Sequence, residues 1–284
     1  AMSGPFWRWM LARRLVQGKE HATRAREKLG VYTRPRPEGR LLWFHAVSVG
    51  EALALITLIN RLLAAHPALN ILITTHSVAS EQALAARALP DRVIHQFAPA
   101  DHPDIAARFL AHWRPEALIV AEADLWPVML IRAHRAGLPM VLMNTHVTPR
   151  RYRRRRRMAK TNGYLMDLFD RILVQDADSL ERFKDLGAPA AKMSVMGVLK
   201  AASDPLPDRP EERARLAQAI GDRPVWLAAS TWAVEEPQIL DAAKEAAAQL
   251  PGLLFLIAPR QPNAADQTEA AARARFGHVA RRSK

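Results

Sequence analysis

Glu51 stands where an apolar run at residues 41–47 gives way to an amphipathic stretch at 51–65, three residues after Ser48 and directly after Gly50. A parallel-sheet enzyme holds its ligands at the carboxyl ends of its strands. At such a place Gly50 lets a substrate approach the backbone closely, and the Glu51 carboxylate can take a proton from an attacking hydroxyl. The same Ser48-x-x-Glu51 spacing is also a capping box, in which the carboxylate closes on backbone amides at a helix start. A second acidic pair, Glu122 and Asp124, follows the apolar run at 117–121. Two carboxylates held close raise the pKa of one of them, which suits a general base. The competing reading is acidic residues favoured by a helix dipole.

Other residues point to anions. Ser230 and Thr231 follow the apolar run at 225–229, where hydroxyl and backbone donors can hold a phosphate. Arg260 closes the run at 253–258 and can pair with an anion. Residues 150–157 hold seven arginines and one tyrosine, with Arg150, Arg153, Arg154 and Arg157 among them. A charge run is often only a solvated face; seven positive charges in eight residues favour phosphate on lipid or on nucleic acid. The ten histidines form no H-E-x-x-H cluster, and there is no Walker loop, no G-x-G-x-x-G and no G-x-S-x-G. No metal site is expected.

The elements that position these residues are strand-like runs alternating with helical patterns. Strands are expected at 41–47, 71–75, 92–97, 117–121, 140–144, 172–175 and 193–196, with helices such as 51–65 and 103–113 between them. That alternation implies βαβ units and a parallel sheet. Residues 201–210 carry three prolines and imply a linker. Beyond it the pattern restarts with strands at 225–229 and 253–258, helices at 235–250 and from about 263, and a third strand near His278. The expected organisation is an N-terminal amphipathic helix at 1–20, a Rossmann-like domain at 21–200, the linker at 201–210, and part of a second Rossmann-like domain at 211–284. Phe6, Trp7, Met10, Leu11 and Leu15 set against Arg8, Arg13, Arg14 and Lys19 suit a helix lying in a membrane interface, or one packed on the domain.

With 284 residues and 49% hydrophobic content the chain can bury a full core. Its 41 Lys and Arg against 28 Asp and Glu give a formal charge of +13, which favours polyanionic partners. The absence of cysteine excludes disulfides, Cys-ligated zinc and cysteine nucleophiles. No uncharged apolar run reaches the roughly 18 residues of a membrane-spanning helix.

Together these motifs resemble the 3-deoxy-manno-octulosonate (Kdo) transferase family. Residues 43–51, WFHAVSVGE, are similar to its W-x-H-A-x-S-V-G-E signature; Thr74-Thr75 with Ser80-Glu81 resembles its T-T-x-T-x-x-G-S-E segment. Residues 122–127, EADLWP, resemble E-T-E-L-W-P with Asp124 in place of a glutamate, and residues 139–144 resemble its P-x-x-L-x-N strand. The resemblance implies a GT-B-like α/β fold, an acceptor-side N-terminal domain and a nucleotide-holding C-terminal one. It implies inverting transfer of Kdo from CMP-Kdo to a lipid A precursor in lipopolysaccharide synthesis, with CMP-Kdo as donor substrate and no cofactor. The site would be at the cytoplasmic face of the bacterial inner membrane, reached peripherally or through an anchor upstream of this chain. By the same resemblance Glu51 is the base, Glu122 and Asp124 form the second acidic motif, Ser48, Gly50 and the arginines bind acceptor, and Lys200, Ser230, Thr231 and Arg260 bind donor. The donor-side motifs depart from the pattern: Val198, Trp232 and Gln261 replace polar family residues. A divergent or truncated non-catalytic paralogue binding anionic lipid or lipid A is the alternative. Nucleic-acid binding through the arginine run is a third, and nucleic acid is not the expected partner.

Overall fold

A computed structural model describes residues 4–87, 89–122, 125–202 and 208–282. The chain divides into two compact units, Ala1–Asp204 and Pro205–Lys284. Of the expected linker, residues 203–207 lie outside the described residues.

The first unit is built on seven parallel strands: β1 Arg40–His45, β2 Leu69–Thr75, β3 Val93–Phe97, β4 Ala117–Ala121, β5 Met140–Thr145, β6 Arg171–Val174 and β7 Met193–Val195. Their order across the sheet is β3-β2-β1-β4-β5-β6-β7. The chain therefore winds outward from β1 in one direction, returns, and winds outward from β4 in the other. The crevice beyond the carboxyl ends of β1 and β4 is the place where such a sheet binds ligands.

Alternate residues of a strand face opposite sides of the sheet, and β1 shows it. Leu41 and Trp43 enter one buried core with Phe109, Trp113, Leu130 and Phe169, while Phe44 enters the other with Leu55, Ile59 and Ile71. Helices α2 (Val49–Ala65) and α4 (Pro103–Trp113) lie on these two faces; α3 (Val78–Ala85), α5 (Pro127–Arg135), α7 (Ala159–Asp167) and α8 (Ala177–Asp185) run between later strands. Helix α1 (Gly4–Val16) does not divide into clean polar and apolar faces: Leu11 is buried while Trp9 and Val16 are exposed.

A buried ionic clamp fastens the 3₁₀ turn Ala25–Leu29 to β3. Glu27 is 5% exposed, and its Oε2 accepts from the Gln96 side-chain amide at 2.7 Å and the Phe97 backbone N–H at 3.0 Å. Arg24 donates to both carboxylate oxygens, at 2.7 and 3.1 Å, and to the His95 carbonyl at 2.9 Å.

The second unit pairs β8 (Val225–Thr231) with β9 (Leu254–Pro259) in parallel, with helices α9 (Pro210–Ile220), α10 (Glu236–Gln249) and α11 (Ala265–Arg273). The third strand expected near His278 is not formed: among the described residues no strand follows α11. Side chains hold that segment instead. Phe276 stacks 6.2 Å from Phe255, and Arg281 pairs with Asp266 at 2.5 Å and Glu269 at 3.6 Å.

Candidate active site

Ser48 is the N-cap of α2, and its hydroxyl accepts from the Glu51 N–H at 3.2 Å. The Glu51 carboxylate reciprocates, with Oε2 accepting from the backbone N–H groups of Val47 at 2.7 Å and Ser48 at 3.2 Å. The capping box anticipated from the spacing is therefore formed, and it fixes the rotamer of Glu51 at the mouth of β1. Both backbone donors engage the same oxygen.

Glu122 ends the neighbouring strand β4. Its φ of +60° places a non-glycine residue in the left-handed region, a conformation costing roughly 1–3 kcal/mol and concentrated at functional sites. Its carboxyl is held above the ordinary glutamate range, first by burial and then by the negative charge of Glu51, against the opposing pull of His146, Arg151 and Lys200. These five side chains share one electrostatic neighbourhood. Asp124 lies outside the described residues.

Lys200 joins this group through the backbone. Asn144, the next-to-last residue of β5, has a φ of +53° and is buried. Its Oδ1 accepts from the Leu199 N–H at 2.9 Å, and its side-chain and main-chain oxygens accept from the Gln175 amide. That pin sets the 3₁₀ turn Leu199–Ala202 beside α2. A Cβ built at Gly50 would lie 3.4 Å from the Lys200 ammonium nitrogen. Lys200, expected among donor-binding residues, thus stands with Gly50, Glu51 and Glu122. Sequence reasoning did not single out His146, Arg151 or the pinning role of Asn144.

The arginine run forms a short helix, α6 (Pro149–Arg155), and a 3₁₀ turn, Arg156–Met158. Arg150, Arg153, Arg154 and Arg157 are exposed. Tyr152 is tied down by its hydroxyl, which donates to Asp185.

In the second unit Ser230 and Thr231 end β8, and the Arg260 N–H bonds the Thr231 carbonyl at 2.9 Å, so these three are brought together. Ser230 has a φ of +62°. The Thr231 hydroxyl donates to Glu236 Oε1 at 3.0 Å and is buried, which commits its proton to α10. The Arg260 guanidinium lies 5.7 Å from the Trp232 ring centroid. Among the described residues no three His, Asp or Glu side chains gather as metal ligands.

The raised Glu122 carboxyl has a thermodynamic consequence. A carboxyl whose folded pKa exceeds its unfolded value stabilises the fold fully below the unfolded pKa, and that contribution is lost as pH rises through the folded pKa. Glu122→Gln, neutral throughout, is expected to melt about 1–3 °C above the wild type near neutral pH, allowing for solvent screening. The difference should vanish in acid below the carboxylate range. A variant that melts lower than wild type near neutrality would contradict the assignment.

The strand-order reversal between β1 and β4 gives a Rossmann-like, GT-B-like α/β scaffold, with two carboxylates and several cations at its crevice. Solved structures share this fold at low identity. A putative UDP-N-acetylglucosamine 2-epimerase of Listeria monocytogenes superposes with a TM-score of 0.59 at 12% identity, over 86% of this chain and 68% of that one. UDP-GlcNAc 2-epimerase of Neisseria meningitidis gives 0.56 at 14%, over 84% and 70%. Those likenesses speak to fold alone. The family model of 3-deoxy-D-manno-octulosonic-acid transferase (kdotransferase) matches residues 23–203, and the chain belongs to that family. It is 32% identical over 264 residues to a probable mitochondrial 3-deoxy-D-manno-octulosonic acid transferase of Arabidopsis thaliana, covering 89% of this chain and 58% of that protein. Against the Haemophilus influenzae 3-deoxy-D-manno-octulosonic acid transferase the identity is 30% over 256 residues, covering 87% and 58%. The chain thus spans less than two thirds of the length of these curated relatives.

Proposed function

We propose that this chain is the acceptor-side part, with some of the donor side, of a glycosyltransferase that moves Kdo from CMP-Kdo onto a lipid A precursor. What carries the reading is the convergence of Glu51 and Glu122 at the ends of adjacent strands β1 and β4, in a chain of this family. An acceptor hydroxyl is too weakly acidic to attack unaided, and a carboxylate within reach removes its proton as the new bond forms. Glu51 Oε1 is the atom the hydroxyl would meet, because the Val47 and Ser48 amides anchor Oε2. Lys200 and Arg151, whose charges reach Glu122, would serve as counter-ions to acceptor or donor phosphates. The test is the mass gain of one Kdo on a lipid A precursor incubated with CMP-Kdo and the full-length protein. An unchanged acceptor mass sinks the proposal.

A second reading makes the chain a non-catalytic binder of anionic lipid. The capping hydrogen bonds of Glu51 favour it, since they give the residue a structural task. Substitutions that keep the cap and remove the base separate the two readings.

On either reading the exposed arginines face an anionic bilayer, the cytoplasmic face of the inner membrane in the proposed setting. No described helix is long and apolar enough to cross a membrane; in this part of the protein, charge and α1 are the features that would meet a bilayer. Each arginine near an anionic surface contributes about 1 kcal/mol. Replacing Arg153, Arg154, Arg156 and Arg157 with glutamine is expected to weaken sedimentation with phosphatidylglycerol liposomes by roughly two to three orders of magnitude at low salt, and by much less at high salt. Equal sedimentation of the two proteins would remove the run from the membrane contact.

A further inference from the structure

Beside the carboxylate pair the first unit holds a cavity of about 270 Å³, partly open to solvent. Trp7, Met10 and Leu11 of α1 form one wall; Val47 and Trp126 form the wall toward the site. The lining is mostly apolar. Its polar part is an ion triad in which the buried carboxylate of Glu20 receives Arg14 and Lys28, each at 2.5 Å, leaving a net positive charge.

The cavity and the candidate active site share a residue. Val47 lines the cavity, and its N–H is the donor that anchors Glu51 Oε2 at 2.7 Å. Trp126 follows the acidic motif of Glu122 and is stacked on His76 at 4.6 Å. At roughly 30 Å³ for each water-sized group, the volume takes about nine of them, which matches an alkyl chain of about ten carbons, and the mostly apolar lining suits such a chain rather than a sugar–phosphate. The face of α1 turned away from the cavity carries the exposed Trp9, with the Arg13 guanidinium 5.8 Å from its ring.

We propose that this cavity holds one fatty-acyl chain of the acceptor, with α1 as its clamp, so that the acceptor hydroxyl is set beside Glu51 by its lipid tail as well as by its phosphates. The inference rests on the acceptor being an acylated saccharide, as in the proposed function. Apolar lining supplies the affinity for the chain, and the net positive triad favours an anionic amphiphile over a neutral one.

Met10→Trp and Leu29→Trp fill the cavity from two different elements without touching Glu51, Glu122 or Lys200. In the full-length protein each variant is expected to raise KM for the acylated acceptor at least tenfold, while KM for the same acceptor stripped of its acyl chains stays at the wild-type value. Equal losses with both acceptors, or none with either, would overturn the proposal. Binding of 11-(dansylamino)undecanoic acid gives a readout that needs no transfer: a saturable fluorescence rise in the wild type, weakened at least tenfold in both variants. Absence of that rise in a wild type of normal melting temperature would overturn the proposal even if transfer is robust. Probe binding weakened by the variants without any acyl-dependent change in KM would mean that the chain comes from another lipid, which also overturns it. If the wild type transfers Kdo to neither acceptor, the proposed function fails first, and the probe still decides whether the cavity takes an alkyl chain.

Discussion

Glu51→Gln in the full-length protein is expected to lower Kdo transfer by roughly 10²–10⁴-fold, the contribution of a positioned general base, with little change in melting temperature. Glutamine retains an oxygen that can accept from the Val47 and Ser48 amides, so the capping box survives. Glu51→Ala removes base and cap together and is expected to lose the same activity and about 1 kcal/mol of stability. The pair of variants separates the two tasks that one carboxylate performs. If Glu51→Gln keeps its turnover while Glu51→Ala loses stability, the residue is a helix cap and nothing more. Initial rates and thermal melts on the same preparations supply both readings.

The largest stability effect is expected at Glu27→Ala. The carboxylate is buried and receives Arg24, the Gln96 side chain and the Phe97 N–H. Truncation leaves a partly buried guanidinium facing His95 and Glu81 without its main counter-ion, and strips an acceptor from the last residue of β3. Breaking a buried pair by removing one partner costs about 3–5 kcal/mol. That is a large fraction of a typical domain stability of about 5–15 kcal/mol, so a denaturant midpoint should fall steeply and Glu27→Gln should recover part of the loss. A midpoint within experimental scatter of the wild type would show that the clamp is incidental.

The sheet was legible because strands buried on both faces appear as continuous apolar runs. The run 117–121 coincides with β4, and 103–113 coincides with α4, whose start is marked by Pro103. Ends drifted by one or two residues elsewhere, as at β1, which stops at His45 before the turn into Ser48. Where a strand was expected near His278, side-chain contacts outside a ladder hold the segment: Phe276 finds a ring and Arg281 finds carboxylates.

Glu122 was legible because it directly follows an apolar run, and Glu51 because its spacing from Ser48 marked a cap. The site's remaining members were not. His146 and Arg151 come into range of Glu122 only when β5 is laid beside β4, and Lys200 comes to Gly50 only through the Asn144 pin. Glu27 is a similar case. In sequence it sits in a strongly charged stretch that resembles a solvated face, and only Gln96 and Phe97, distant along the chain, make it a buried anchor. Tertiary proximity of charged groups leaves no periodic signal.

The whole account depends on Glu51 and Glu122 acting as one coupled acid–base pair. The most direct measurement is the titration of the Glu122 side-chain carboxyl by ¹³C NMR, in the wild type and in Glu51→Gln. The expected midpoint is above the ordinary glutamate range in the wild type, and lower in the variant once the neighbouring negative charge is gone. An ordinary midpoint in the wild type that does not move on substitution would mean that the two carboxylates do not sense each other, and the shared site would be lost with them.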